Sequence, residues 1–147
     1  MKIDQKGYLL INLVAGIGII ALMIGISLPY IRNYQIDSKL SAEARNISGN
    51  LRHAQQLSVT NQTVHGVEFD IVSDTYYIKK YGGSTTTVKS VVLDSTVDLE
   101  KVTGLTGDRV KFNFYGGVDR SGEVILTNVN NSTSTVKIKP SGYVEIE

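Results

Sequence analysis

The chain has no cysteine. That excludes disulfide frameworks, thiolate zinc sites and cysteine nucleophiles together. Histidine is scarce, with only His53 and His65, and carboxylates do not recur at ligand spacing, so metal chemistry is poorly supplied. A charge excess of either sign is also missing. Fifteen basic and 14 acidic residues leave a formal charge of +1, which excludes a strongly basic nucleic-acid binder or an acidic tail protein as the starting assumption. What remains is 147 residues, 41% hydrophobic and 20% charged, enough for one modest folded domain and little else.

The most informative absence is local. No charged residue occurs from Gly7 to Ile31. As a helix, Tyr8 to Ile31 would extend about 36 Å at a 1.5 Å rise per residue, enough for a bilayer core of about 30 Å. A short head holding Lys2, Asp4 and Lys6 precedes this run, and Arg32 follows it. Such a run near the N-terminus is a secretory signal or a membrane anchor. The segment Ser27-Leu28-Pro29-Tyr30-Ile31-Arg32 lacks the small-residue pattern of a signal peptidase site, which favours the anchor. Lys2 and Lys6 favour a cytoplasmic N-terminus, although Asp4 and Arg32 make the asymmetry shallow.

Beyond Arg32 the pattern becomes amphipathic. Ile36, Leu40, Ala44, Ile47, Leu51 and Ala54 form one helical stripe, with Asp37, Lys39, Glu43, Arg45 and Arg52 mostly off it. The spacing predicts a helix over 32–62, continuous with the apolar run and with Pro29 as its only strong kink. From residue 63 onward, strand formers alternate with turn signals. Strands are expected at Val64–Ile71, Thr75–Tyr81, Val88–Leu93, Val110–Phe114, Val124–Val129, Thr135–Lys139 and Tyr143–Ile146. Breaks fall at Gly82-Gly83-Ser84, Gly104 to Asp108, Gly116-Gly117 and Ser141-Gly142, and Thr85-Thr86-Thr87 reads as a loop edge. The expected fold class is α+β: a long N-terminal helix, half membrane and half amphipathic, packed on an antiparallel sheet head.

The leader Lys6-Gly7-Tyr8-Leu9-Leu10-Ile11 and the proline 21 residues beyond Tyr8 resemble the type IV prepilins and pseudopilins. Ala44-Arg45 to Leu57, Val64 to Asp70, and the stretch from Val110-Lys111-Phe112 to Ser141-Gly142-Tyr143-Val144 are most similar to the H-type minor pseudopilins, the GspH/FimT family. The resemblance implies a leader at 1–7, an assembly helix at 8–31 and a head at 32–147. It also implies cleavage between Gly7 and Tyr8 by a prepilin peptidase, and methylation of the new Tyr8 amine. Glycine suits such cleavage because it leaves the backbone open to a protease. The implied partners are other pilin or pseudopilin subunits, the inner-membrane assembly platform and membrane lipid before assembly. The implied location is the inner membrane, spanned once, with the head outside the cytoplasm and no cofactor. Pro29 matches a position where the family tends to carry proline. Asn12 departs from it, because the fifth mature residue is usually glutamate.

Function then rests on structure rather than chemistry. Ser58, His65 and Asp70 supply the residue types of a hydrolase triad, yet no nucleophile elbow accompanies them. Asp94, Asp98 and Glu100 lack the glycine a calcium loop needs. The principal expectation is a minor structural subunit of a type II secretion pseudopilus or a type IV pilus, placed at a tip or initiating complex. The alternative is a DNA-binding minor pilin for DNA uptake. Lys79, Lys80, Lys137 and Lys139 would contact phosphates, and Tyr76, Tyr77, Tyr81 and Tyr143 would stack on bases. Against it, Thr63–Glu147 holds nine basic and eleven acidic side chains. A third reading is an anchored domain that never assembles.

Overall fold

A computed structural model describes residues 5–147, with the backbone alone at residues 5–7, 28 and 29. It divides into two compact units, Met1–Gln35 and Ile36–Glu147. One helix, α1 (Gln5–Asn61), runs through both. No charged side chain interrupts it from Gly7 to Ile31, and the stripe of its second half supplies a packing face. It ends where Gln62 takes a left-handed backbone (φ 49°) and donates its side-chain amide to the Val59 carbonyl at 2.7 Å. The leader residues 1–4 and the side chain of Pro29, on which the expected kink turns, lie outside the described residues.

In the second unit Leu40, Ala44, Ile47, Leu51 and Ala54 are buried, as the stripe requires, while Ile36 is only half-buried at its end. These side chains share one core with two sheets, not the single sheet expected. The first sheet has the order β3-β2-β1-β5, built from β1 (His65–Asp70), β2 (Thr75–Tyr81), β3 (Thr85–Val92) and β5 (Arg109–Phe112). The second has the order β4-β6-β7-β8, built from β4 (Val97–Thr103), β6 (Gly122–Asn128), β7 (Thr133–Ile138) and β8 (Val144–Ile146). Every strand pairing is antiparallel. Val67 and Phe69 of β1, Tyr76 and Ile78 of β2, and Val110 and Phe112 of β5 fill the core from the first sheet. Val97, Leu99, Val124, Leu126, Val136, Ile138 and Val144 fill it from the second.

β4 was not expected. Val97 and Leu99 alternate inward, but the register then shifts between Leu99 and Lys101, so the periodicity is lost after two turns of the pleat. Thr85-Thr86-Thr87 belong to edge strand β3 rather than to a loop. Their hydroxyls are exposed, so no apolar face betrayed them. β5 stops at Phe112, two residues early, because the Asn113 carboxamide turns the chain by accepting from the N–H groups of Tyr115 and Gly117, both at 3.0 Å.

Asp74 ties the sheets together. Its backbone is left-handed (φ 47°), its carbonyl accepts from the Leu93 N–H at 2.9 Å, and its carboxylate accepts from the Leu99 N–H at 2.8 Å. A second tie joins the loop after β5 to the β7–β8 turn. There Val118 donates to the Pro140 carbonyl at 3.2 Å, and Gln55 of α1 donates to the Gly116 carbonyl at 2.7 Å. Gly142 (φ +81°) sits against this junction, where a Cβ would come within 2.1 Å of the Gly116 carbonyl oxygen.

Candidate functional site

Two regions carry the residues singled out from the sequence: the apolar segment of α1 and the charged faces of the head. In the apolar segment the side chains stand open. Tyr8 is 65% exposed, Leu9 67%, Leu22 70% and Tyr30 77%. Isoleucines 11, 17, 19, 20, 24 and 26 are likewise exposed. A folded chain that leaves this much contiguous apolar surface uncovered needs lipid or other apolar helices around it. The helix is long and apolar enough to cross a membrane, with a mean hydropathy of 2.6 over its most apolar window. Asn12 lies one helical turn beyond Tyr8, within this exposed surface. Ser27, the other short polar side chain of the run, returns its hydroxyl to the Met23 carbonyl at 2.8 Å and so satisfies itself within the helix. Gly7 precedes Tyr8 on the same helix.

The second unit places the four lysines apart. Lys79 and Lys80 are adjacent on β2 and therefore point to opposite faces of their sheet. Lys79 is held by Glu68 at 2.7 Å and lies 5.4 Å from the Tyr77 ring centroid. Lys137 and Lys139 do share a face of β7 and its extension, but each is engaged. Lys137 pairs with Glu147, and Lys139 pairs with Glu145 at 2.6 Å and lies 5.4 Å from the Tyr143 ring centroid. The hydrogen bonds that Lys137 and Lys139 donate to Glu147 and Glu145 hold both ammonium groups above their ordinary pKa, and the bond from Lys139 holds Glu145 below its own. Tyr76 is a core residue whose hydroxyl accepts from the Asn50 amide at 2.7 Å. Burial pushes its phenol up to about 12. Three of the four lysines thus meet carboxylates.

The other chemistry-bearing residues are engaged with backbone. Ser58 accepts from the His65 N–H at 2.9 Å and donates to the Ala54 carbonyl at 3.1 Å. His65 is buried, with Nδ1 2.7 Å from the Thr63 carbonyl. Asp70, at the far end of β1, accepts from Ser73 Oγ at 2.7 Å and from the Val72 N–H at 3.1 Å, and the Ser73 bond keeps its pKa below the ordinary value. The three side chains do not converge. Asp94 is drawn to Thr96 and Lys39, and no group of three metal-ligating side chains occurs among the described residues.

In the sequence Asp37 reads only as an off-stripe charge. Its carboxylate accepts from Asn128 Nδ2 at 2.8 Å and Ser132 Oγ at 3.0 Å, pinning the β6–β7 turn to α1. No local signal marks it, because its partners lie more than ninety residues away.

The sequence matches no family profile and no curated protein. Comparison of folds gives a different result. The chain is similar to the minor pseudopilin EpsH of the type II secretion system of Vibrio cholerae, with a TM-score of 0.64 at 10% identity over 74% of this chain and 96% of that one. It is similar to the type IV minor pilin FimU of Pseudomonas aeruginosa, with a TM-score of 0.63 at 11% identity over 76% and 90% of the respective chains. It is also similar to GspH of E. coli, with a TM-score of 0.61 at 10% identity over 75% and 88%. The helix, the two antiparallel sheets and their shared core therefore make up the type IV pilin-like fold of the H-type minor pseudopilins.

Proposed function

We propose that the chain is a minor pilin-like structural subunit of a type II secretion pseudopilus or a type IV pilus. One observation carries this reading: a head with the minor pseudopilin fold continues, in one polypeptide, into an apolar helix whose side chains are uncovered. In the membrane, lipid covers that helix. In a filament, the same surface is covered by the helices of other subunits, so a single segment serves for storage and for assembly. The work is architectural, and the head needs no cofactor for it.

Processing follows from the same reading. A prepilin peptidase cuts between Gly7 and Tyr8, leaves 140 residues (147 minus 7) and methylates the Tyr8 amine. The inner-membrane platform then lifts the subunit. Asn12 gives this subunit a place distinct from the shaft. A carboxylate at that position would neutralise the N-terminal amine of a neighbour inside an apolar core, and a buried charge is tolerable only when paired. Asn12 hydrogen-bonds an amine but cannot neutralise it. It suits a contact made once, at a tip or initiating complex, more than one repeated along a shaft.

Intact-mass analysis of the membrane fraction tests the processing step, with a chain beginning at methylated Tyr8 expected. A chain still starting at Met1 beside an active prepilin peptidase would favour an anchored domain that never assembles. Mass spectrometry of sheared filaments tests the position, with low copy number expected. High abundance along the shaft would overturn the tip assignment.

A further inference from the structure

Four of the twelve lysines and arginines of Ile36–Glu147 meet a carboxylate, and of the eight that do not, three share a cavity. Lys39, Lys79, Lys137 and Lys139 each meet a carboxylate. Arg109, Lys111 and Arg120 form no ion pair among the described residues, and these three line one cavity of about 200 Å³. Thr106, Val110 and Asp119 complete the lining. The strand alternation explains the arrangement. Val110 and Phe112 enter the core, so Arg109 and Lys111 must point to the outer face of β5. The bridge between Phe112 and Val118 then brings Asp119 and Arg120 alongside that strand.

The surroundings hold two of these cations. Arg109 donates through Nε to the Thr106 carbonyl at 3.3 Å. The Lys111 ammonium lies 4.6 Å from the Tyr81 ring centroid. The Tyr81 ring in turn lies against Gly66, where a Cβ would come within 3.1 Å of Cε2. Glu68, opposite Arg109 in the register of β1 with β5, is held by Lys79 at 2.7 Å and by the Tyr81 hydroxyl at 3.4 Å. Asp119 is the single acidic group in the lining, against three cations.

We propose that the cavity bounded by Arg109, Lys111 and Arg120 is a docking site for an aspartate- or glutamate-rich segment of a partner polypeptide, whose carboxylates enter it. The excess positive charge names an anion, and the guanidinium groups suit planar carboxylates. One feature favours polypeptide over nucleic acid: Thr63–Glu147 holds nine basic and eleven acidic side chains, so the local cation cluster is not part of the wider excess of positive charge that a phosphate backbone requires. The inference concerns the head alone and does not depend on processing or assembly of the helix.

The test uses the full chain in non-ionic detergent and a dye-labelled peptide of alternating aspartate and glycine, read by fluorescence anisotropy. Binding is expected, weakening as salt rises, and absent for a peptide of alternating asparagine and glycine. Arg120→Gln, an exposed loop position, should weaken it about tenfold, and Arg109→Gln with Lys111→Gln further. Lys137→Gln with Lys139→Gln, an equal loss of charge elsewhere, should leave it unchanged. The proposal is overturned if the acidic peptide does not bind, if Arg120→Gln binds it as tightly as the parent chain, or if the Lys137 and Lys139 changes weaken it equally. Tighter binding of a thymidine oligonucleotide of the same length would overturn the choice of polypeptide.

Discussion

Asp37 and Asp94 show how single carboxylates hold a helix to a sheet. Asn128 is buried, and its amide nitrogen donates to Asp37 while its carbonyl oxygen accepts from the N–H groups of Asn130 and Ser132. Asp37→Ala would leave that buried amide unpaired, at a cost of about 1–3 kcal/mol. Chemical denaturation should report this loss, and a smaller one for Asp37→Asn, whose carboxamide oxygen still accepts. Asp94 makes its own prediction through pH. Its hydrogen bond from Thr96, helped by Lys39, lowers its pKa to about 2 from an ordinary 3.8. A carboxylate with a depressed folded pKa contributes stability that is complete above the unfolded value and disappears as pH falls through the folded one. Asp94→Asn should therefore flatten the fall in thermal stability between about pH 4 and pH 2, seen by comparing melting curves across that range. Neither carboxylate declares its role in the sequence. Both look like solvated charges, and what distinguishes them is a partner brought near only by the fold.

At the scale of elements, apolar spacing was the legible signal and irregularity was the source of error. The stripe Leu40, Ala44, Ile47, Leu51 and Ala54 could be read directly, because a helix repeats and the core lies on one side of it. Leu51→Ala should cost about 2–5 kcal/mol. Leu51→Asp should unfold the head outright by placing an unpaired charge among Leu51's buried neighbours. Retained thermal stability in the aspartate variant would mean that the stripe does not face the core. The strands were legible where alternation ran unbroken, as in β1 and β6, and not where a register shift changed the face. β4 was lost in this way, and with it the second sheet's edge. β3 was shortened because, of its eight residues, only Val91 is not exposed. Of the site residues, Lys137 and Lys139 were rightly placed on one face, since that needs only the period of two. Their carboxylate partners were not foreseen, since Glu145 and Glu147 reach them only through the antiparallel pairing of β7 with β8. Arg109 and Lys111 share a face by the same period of two, but Arg120 joins them only through the bridge between residues 112 and 118.

At the scale of the whole molecule the division of labour is thermodynamic. Every residue of the hydrophobic core lies between Leu40 and Val144, inside the unit Ile36–Glu147. The apolar side chains from Tyr8 to Ile26 contribute nothing to that core and remain uncovered. Folding of the head and burial of the anchor are therefore separate events, the first driven by the chain's own side chains and the second by an environment it must find. Removing residues 1–35 should yield a soluble chain that keeps the sheet signal in circular dichroism and melts in one cooperative transition. Asp37 and Lys39 stay within the truncated chain, so the bonds to Asn128, Ser132 and Asp94 survive the cut. The full chain, by contrast, should require detergent to leave the membrane fraction. A truncated chain that aggregates or lacks cooperative melting would show that the apolar half of α1 is needed for the head to fold, and that storage and folding are coupled rather than independent.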